Sequence, residues 1–514
     1  MKKILVTFIL VYIASVTYAI EVVELPLANS NKVIVKVMFK NGSVSDPAGK
    51  EGLTALTASL VMDGGTGELS SSKIKDMTYP WAASWWATTD KEVSTFTFEF
   101  HKDHGDQFLS IMTGLIAAPR FDEADFSRVL SNQQNFVNQV IRASSDEDFS
   151  KMGLEDLLFR GTRYQHMVRG TTAGLDSITL DDVIKHYASV FTRDRITLGV
   201  AGSYSPDFVN VLREVLMGLP ESTTAAAERV KPNVPEGIQV EIISKKQALG
   251  SAIFAGMPLP VTRRDQTFAA LMVANSWLGE HRKSYSRLYQ KIREQRSMNY
   301  GDYSYIEWYE GGGNNMLPLP GFPRNSNYFS IWLRPVQTAE GLKSQYPELK
   351  DLTVGHAHFA LRMAIRELDQ LIKKGMTEAD FNLTRDFLRS YMKLYIQTPG
   401  KQLGFLMDSR FYNRKDYIAE MDELLAGLTL EDVNNAITKY WQTNSMYVCI
   451  VTDDSEAEAL KVSLFENTPS PMFYSDALRS TLPPSILAED EEVSVFPLNV
   501  TNVEIREASE MFRN

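Results

Sequence analysis

An arginine and a tyrosine seven residues apart, Arg293 and Tyr300, can act together on an oxygen atom. A guanidinium and a phenol hydroxyl both donate hydrogen bonds, which hold an oxygen that carries negative charge. We expect a helix to end near Arg296 and a strand to follow through Tyr303 and Tyr305, so that both side chains reach one rim. The spacing alone also permits an ordinary interpretation, in which Arg293 and Arg296 are cations that the dipole favours near a helix C-terminus.

The seven histidines of the chain do not form a metal-binding pattern. His356 and His358 stand two residues apart on a predicted helix, so they point to different faces. His101 and His104 flank the end of a predicted strand. The other three are isolated in the sequence: His166, His186 and His281. We therefore interpret all seven as surface or packing residues.

Other catalytic chemistry finds little support in the composition. The chain has no Gly-x-Ser-x-Gly turn of a serine hydrolase, and its one cysteine, Cys449, lies in the apolar run 446–451. We expect Cys449 to be a buried strand residue, and a lone cysteine forms no internal disulfide. The net charge of −11 repels phosphate backbones, so nucleic acid is not an expected partner.

The first nineteen residues have the features of a secretory signal peptide. Lys2 and Lys3 precede the apolar stretch 4–16, and residues 17–19 place small side chains at the positions that signal peptidase reads. The stretch is shorter than the roughly 20 apolar residues of a membrane-spanning helix, which is the competing interpretation. We expect an exported chain with no membrane anchor after cleavage, periplasmic if the source is a Gram-negative bacterium.

An internal repeat predicts the domain organisation. Residues 178–183 recur as 428–433, and the same offset continues into two apolar strands, 196–201 and 446–451. In each copy a threonine, Thr179 or Thr429, precedes an aspartate by three residues, which is a pattern that begins a helix. The repeat predicts two homologous α+β domains, each a sheet with helices packed on one face.

The predicted boundaries follow from the repeat and from local patterns. They are 1–19 for the signal peptide, 20–235 and 236–470 for the two domains, and 471–514 for a C-terminal arm. Strands are predicted at 33–39 and 95–100, and helices at 52–62, 125–142, 265–278, 357–373 and 379–396. The arm is predicted to be extended and to end in a short strand around 493–496, and its acidic run, 489–492, is predicted to be solvated.

Several short motifs resemble those of the pitrilysin/insulinase metallopeptidases in order and spacing, from about residue 23 to 465. They are Asn-Gly-Ser-Val-Ser-Asp-Pro at 41–47, Gly-Leu at 52–53, Gly-Gly at 64–65, Ala-Thr-Thr-Asp at 87–90, Phe-Arg-Gly at 159–161 and Val-Ala-Gly at 200–202. The resemblance implies two such domains that together form half of a clamshell.

The resemblance fails at the zinc motif. Active members carry H-x-x-E-H on the helix after Gly-Leu, where two histidines bind zinc and the glutamate activates water. Here the ligand and base positions are occupied by Ala55, Ala58 and Ser59. The helix that should supply a distal glutamate has only amides in its central part: Gln133, Gln134, Asn135, Asn138 and Gln139. We expect no metal and no other cofactor in this chain, and zinc in a partner.

The resemblance also gives Arg293 and Tyr300 a role. In family members such a pair faces the zinc across the cleft and stabilises the oxyanion that forms on a peptide carbonyl. The sequence thus predicts a chain that is not catalytic alone. It would supply Arg293 and Tyr300 to a homologous subunit with H-x-x-E-H, in a heterodimer that degrades or processes peptides. The alternative is a non-catalytic structural or peptide-binding protein of the same fold.

Two further segments are candidates for substrate contact. Gly311, Gly312 and Gly313 follow the Arg/Tyr region in a predicted hairpin loop, which either contacts substrate or is an exposed turn. The strand region 82–100 matches one that pairs with extended peptide in active members. Trp85 and Trp86 crowd it here, so this edge is either a vestige or a binding surface.

Overall fold

The computed structural model describes residues 20–222, 229–308 and 320–514. The predicted signal peptide, 1–19, and the glycine run 311–313 lie outside these ranges. No helix within them is long and apolar enough to cross a lipid bilayer.

The N-terminal domain folds around a five-stranded sheet. Its elements are β1 (Glu21–Pro26), β2 (Lys32–Phe39), α1 (Leu53–Asp63), α2 (Ser71–Thr78), β3 (Ser84–Thr89), β4 (Ser94–His101), α3 (Gly105–Ala117), α4 (Glu123–Asn135), α5 (Ile141–Ser144), α6 (Asp146–Phe159), α7 (Thr172–Ser177), α8 (Leu180–Val190), β5 (Ile196–Gly202) and α9 (Pro206–Met217). The strand order is β1-β5-β2-β4-β3, with β1 and β5 parallel and the other neighbours antiparallel.

The C-terminal domain is built in the same way. Its elements are β6 (Ile238–Lys245), β7 (Ser251–Pro258), α10 (Thr267–Gly279), β8 (Asp302–Tyr305), β9 (Tyr328–Val336), α11 (Ala339–Gln345), α12 (Ala357–Lys374), α13 (Glu378–Tyr395), α14 (Pro399–Phe411), α15 (Tyr417–Gly427), α16 (Leu430–Tyr440), β10 (Met446–Asp453) and α17 (Ala457–Phe465). The tail adds α18 (Asp476–Thr481), α19 (Pro484–Ser494) and β11 (Val500–Glu507).

The two sheets have the same topology once the tail strand is set aside. The second sheet has the order β11-β6-β10-β7-β9-β8, and without β11 it matches the first sheet strand for strand. Both predicted helix starts are reciprocal caps. Asp182 N donates to Thr179 Oγ1 at 3.2 Å while Thr179 N donates to Asp182 Oδ2 at 2.8 Å, and Thr429 with Asp432 repeats this pattern. The predicted fold class, two α+β domains of one type, is confirmed.

One helix of each domain packs against the sheet of the other domain. Helix α6 packs against β7 and β10, while α14 packs against β1 and β5. The contacts are close, because a Cβ atom at Gly153 of α6 would lie 2.4 Å from Cys449 Sγ. The exchanged helices cover the sheet faces opposite to those that each domain's own helices occupy, so the central strands of both sheets are buried on both faces.

Replacing Gly153 with alanine is expected to lower the free energy of unfolding by about 1–3 kcal/mol, because the added methyl group overpacks the contact with Cys449. Denaturant unfolding measures this change. The matched control is Gly427→Ala in α15, where an added Cβ has no neighbour within 4 Å. Alanine is the better helix former, so the control should not destabilise. Equal stabilities for the two variants would contradict the close contact.

The predicted helices are confirmed to within about two residues at their ends, with one addition. The helix predicted at 125–142 runs on from α4 to α5, but it widens into a π-helical turn at Phe136–Val140. The region 82–100 is a hairpin of β3 and β4 rather than one strand. Cys449 is fully buried in β10, as predicted.

The tail corrects three predictions. No strand lies at 493–496, since α19 continues to Ser494 and the strand is β11, which pairs in parallel with β6. The arm is not extended throughout, because it contains α18 and α19, and Pro483 and Pro484 begin α19, where proline is tolerated in the first turn of a helix. The acidic run is not solvated throughout, as Glu489 and Asp490 are largely buried in ion pairs.

The end of the tail returns to the N-terminal domain. The amides of Thr172 and Ala173 donate to Phe512 O at 3.1 Å and Arg513 O at 2.8 Å. Met511 is fully buried there, in the same apolar cluster as residues of α1, α6 and β10. The tail therefore contacts both domains.

Candidate functional site

The positions that match the zinc motif lie on α1 and are used for packing. Ala55 and Ala58 are 7% and 0% exposed, and α1 packs against β3, α4 and α8. Thr57 Oγ1 donates to Leu53 O of its own helix at 2.7 Å. Alanine has no atom that can bind a metal, so this face of α1 offers at most the Ser59 hydroxyl.

A glutamine on α4 tethers the start of α1. Gln133 is 6% exposed, and its Nε2 donates to Gly52 O and to Arg169 O, both at 2.9 Å. A carboxylate here would face two carbonyl oxygens without a proton to donate. The amide is thus the side chain that this position requires, and it makes a structural contact on the helix that matches the one supplying a distal ligand in active members.

The start of α1 is fixed further by Asp46. Its carboxylate accepts from Gly52 N at 2.7 Å and from Thr54 N and Thr54 Oγ1 at 2.6 Å each, and it lies 3.1 Å from His166 Nε2. His186 Nε2 lies 2.8 Å from Thr54 Oγ1, and burial lowers the pKa of His186 despite the nearby Asp46. Both histidines are therefore packing residues of the N-terminal domain.

Three other histidines are buried in the C-terminal domain. Burial lowers the pKa of His281 to about 3, of His356 to about 4 and of His358 to about 3, so all three are neutral near pH 7. Within the described ranges no group of three or more His, Cys, Asp or Glu side chains is placed to hold a metal ion.

A chelator is expected to leave the stability of the isolated chain unchanged, because the zinc positions on α1 hold alanines and a serine. Thermal unfolding with and without EDTA, together with elemental analysis for zinc, measures this. A lower Tm in EDTA, or zinc bound in a fixed ratio to the chain, would contradict the assignment.

Arg293 and Tyr300 lie at the two ends of one turn in the C-terminal domain. Arg293 is in the π-helical segment Tyr289–Glu294, with its guanidinium 5.0 Å from the centre of the Tyr289 ring and in an ion pair with Glu294. Tyr300 is 78% exposed and precedes β8. Among the described residues no hydrogen bond joins the two side chains, and Arg293 is only partly exposed.

The turn between them is tightly held by its own residues. Asn299 Nδ2 donates to Asp302 Oδ1 at 2.8 Å and to Arg334 O at 3.0 Å, while its Oδ1 accepts from Gly301 N at 3.0 Å. Gly301 has φ of 152°, and a Cβ atom there would lie 2.1 Å from the Tyr303 hydroxyl. Only glycine fits at this position, so the backbone that carries Tyr300 is well defined.

Arg296 holds the same turn from within. Its side chain is fully buried, with Nε donating to Asp490 Oδ1 at 2.7 Å and Nη2 to Glu489 Oε2 at 2.8 Å. Arg296 Nη1 also donates to Lys291 O at 2.7 Å, which agrees with the ordinary interpretation of a cation near a helix end, and the two ion pairs with the tail are additional to it.

The edge strand β3 leaves one side of its backbone unpaired in the sheet. Trp85 Nε1 donates to Met62 O at 2.8 Å, which ties this side chain to the end of α1. Trp86 points the other way and is 41% exposed. Of the two tryptophans that were predicted to crowd this edge, one is thus part of the core and the other is on the surface.

The chain has two duplicated domains that exchange a helix, and its α1 helix matches a zinc motif but lacks the ligands. These features define a zinc-free member of a class of two-domain metallopeptidases. Family models match at residues 22–172, described as Insulinase (Peptidase family M16), and at 177–388, described as Peptidase M16 inactive domain. The chain belongs to the insulinase family, peptidase family M16, and the residues at Ala55, Ala58 and Ser59 make it an inactive member.

Individual relatives agree with this assignment. A Helicobacter pylori protein named Non-peptidase homolog YmxG is 21% identical over 422 residues, which is 82% of this chain and 88% of that protein. A peptidase M16 inactive domain from Pseudomonas fluorescens has a TM-score of 0.71 at 16% identity, covering 85% of this chain and 96% of that one. The periplasmic protease PqqL from Escherichia coli has a TM-score of 0.61 at 16% identity, covering 83% of this chain and 43% of that one. At these identities the structural matches show the fold alone.

Proposed function

We propose that this chain is the zinc-free subunit of an exported heterodimeric metallopeptidase. It supplies Arg293 and Tyr300 to a homologous partner chain that carries H-x-x-E-H, and the pair degrades or processes peptides. The observation that carries the proposal is that Tyr300 is exposed and Arg293 is partly exposed on a turn that buried ion pairs and a required glycine hold in place.

The chemistry fits these two side chains. The partner's zinc would activate the water that attacks the peptide bond. The carbonyl oxygen of the substrate then gains negative charge, which hydrogen-bond donors fixed beforehand stabilise. No described residue occupies the Tyr300 hydroxyl, so its proton is available to donate. Arg293 keeps donors beyond its ion pair with Glu294, and it can hold the substrate backbone or the same oxygen.

The proposal includes export. The sequence supports it through residues 1–19, and one structural neighbour, PqqL, is described as a periplasmic protease. We propose cleavage after Ala19 and a periplasmic location in a Gram-negative host. N-terminal sequencing of the mature protein from the native host would test this, since a retained Met1 would contradict export by a cleaved signal.

Gentle purification of the tagged chain from its native host, followed by mass spectrometry, tests the heterodimer. Recovery of a similar-sized chain with H-x-x-E-H, in near-equal amount, supports the shared active site. Recovery of this chain alone, or with unrelated envelope proteins, would contradict it.

A second candidate function is peptide binding without hydrolysis. The unpaired edge of β3 and the exposed Trp86 favour it, because an extended peptide can add to a free sheet edge. The isolated chain should then bind unstructured peptides, with a change in tryptophan fluorescence that is lost in Trp86→Ala. Binding that Trp86→Ala does not affect would place the peptide elsewhere.

A further inference from the structure

The turn that carries Arg293 and Tyr300 is fixed in part by the distant C-terminal tail. Arg296 stands three residues after Arg293 and four before Tyr300. Its fully buried guanidinium makes ion pairs only with α19 among the described residues, through Glu489 and Asp490. Because α19 lies outside both repeats, the tail is an addition to the duplicated fold that reaches this one turn.

Glu489 is the centre of the contact. It accepts two hydrogen bonds from Lys291 Nζ at 2.8 and 2.9 Å, one from Arg296 at 2.8 Å and one from Arg366 Nη1 at 3.2 Å. Burial alone would raise the pKa of Glu489, but the bonds from Lys291 and Arg296 lower it to about 2. The carboxylate is therefore charged near pH 7 and engaged by three cationic side chains.

Asp490 completes the contact from the next position of α19. It accepts from Arg296 Nε at 2.7 Å and from the Tyr474 hydroxyl at 2.6 Å, so it links the turn to a second part of the tail. Burial raises the pKa of Asp490 in spite of these partners. Neighbouring Glu491 has no partner of this kind and is exposed, which makes it a matched control.

Loss of either carboxylate is expected to loosen the turn that Arg296 holds. The buried Arg296 would have fewer charge partners, and a buried ion pair that loses one partner is strongly destabilised, so we expect the segment that carries Arg296 to move. Such a movement displaces Arg293 and Tyr300 together, since both are within one turn of Arg296. Catalytic donors that are misplaced by about 1 Å can lower the rate by about 100-fold.

We propose that Glu489 and Asp490 are positioning residues, through which the C-terminal tail sets the placement of Arg293 and Tyr300. This proposal rests on the proposed function for its effect on catalysis. The coupling between tail and turn does not rest on it, and it can be measured in the chain alone.

Hydrogen–deuterium exchange on the isolated full chain tests the coupling. Glu489→Gln and Asp490→Asn should speed exchange of the peptides that span 289–301 at least about threefold, because ordered backbone amides open more often when an anchor is lost. Glu491→Gln should leave these peptides unchanged, and Asp490→Glu should restore part of the protection that Asp490→Asn loses. Unchanged exchange in both anchor variants would overturn the proposal.

Turnover by the assembled pair tests the consequence. Glu489→Gln should lower kcat about tenfold or more, with KM and the affinity for the partner little changed, and Glu491→Gln should match the unchanged pair. Faster exchange with no loss of kcat would overturn the positioning role while leaving the coupling intact. If the unchanged chain finds no active partner, the proposed function fails, and the exchange result still decides the coupling.

Discussion

Turnover by the assembled pair is expected to fall about 100- to 1,000-fold when Tyr300 is replaced with phenylalanine, because the change removes one preorganised donor to the oxyanion. The ring of Tyr300 is 78% exposed, so the loss of its hydroxyl leaves no buried atom unsatisfied. The Tm of the chain should therefore stay the same. The expected loss appears in kcat and in kcat/KM equally, which is typical of an interaction made only in the transition state.

Arg293→Ala should produce a loss of similar size, with a rise in KM if the guanidinium also holds the substrate backbone. Tyr79→Phe is the matched control, since Tyr79 is another exposed tyrosine, 87% accessible, in a short turn after α2. Steady-state kinetics on the purified pair measure all three variants. Full activity in both Tyr300→Phe and Arg293→Ala would contradict a catalytic role and favour the peptide-binding alternative.

The chain should lose about 3–5 kcal/mol of unfolding free energy when Arg324 is replaced with methionine, because buried Asp90 loses its cation and buried Glu155 keeps only its ion pair with Lys91. Arg324 Nε and Nη2 donate to the two oxygens of Asp90 at 2.7 and 2.6 Å, and Nη1 donates to Glu155. Burial alone would raise the pKa of Glu155, but Lys91 and Arg324 lower it. Methionine keeps much of the packing volume, so the measured loss reports mainly on charge.

Arg410→Met is the control for Arg324→Met. Arg410 pairs with Glu21 at 3.6 Å on the surface, and such pairs contribute about 1 kcal/mol or less. Denaturant unfolding of both variants measures the difference. A similar small loss in each would mean that Asp90 and Glu155 find other partners. Because Arg324 belongs to the C-terminal domain and its partners to the N-terminal domain, a large loss would show that this contact between the domains contributes to the stability of the chain.

The sequence predicted the local structure well, because local signals determine it. Thr179 with Asp182 and Thr429 with Asp432 each lie within one helical turn, so the capping residues specify the helix start without help from the rest of the fold. The apolar periods of α12 and α13 predicted the bounds of these helices for the same reason. The absence of the zinc ligands could also be predicted from the sequence, since Ala55 and Ala58 cannot bind metal in any fold.

Contacts between distant segments could not be predicted in this way. Arg296 and Asp490 are 194 residues apart, and a run of four acidic residues is ordinarily solvated. The exchange of α6 and α14 could not be predicted from the sequence either, because the apolar residues of a helix do not indicate which sheet the helix packs against. Gln133 was read only as a missing ligand, since its two carbonyl partners come from loops that the fold brings together.

The exchanged helices also limit how this protein can move. Two domains can rotate about a flexible linker only if few packed contacts join them. Here α6 and α14 each pack on the sheet of the other domain, so separation of the domains would expose the interior of both. Separate production of 20–235 and 236–470 should for this reason give insoluble fragments. If the chain pairs as proposed, it forms one half of the clamshell and its partner forms the other. We then expect substrate to enter by motion of one whole chain relative to the other, with the two domains of this chain moving as one rigid body.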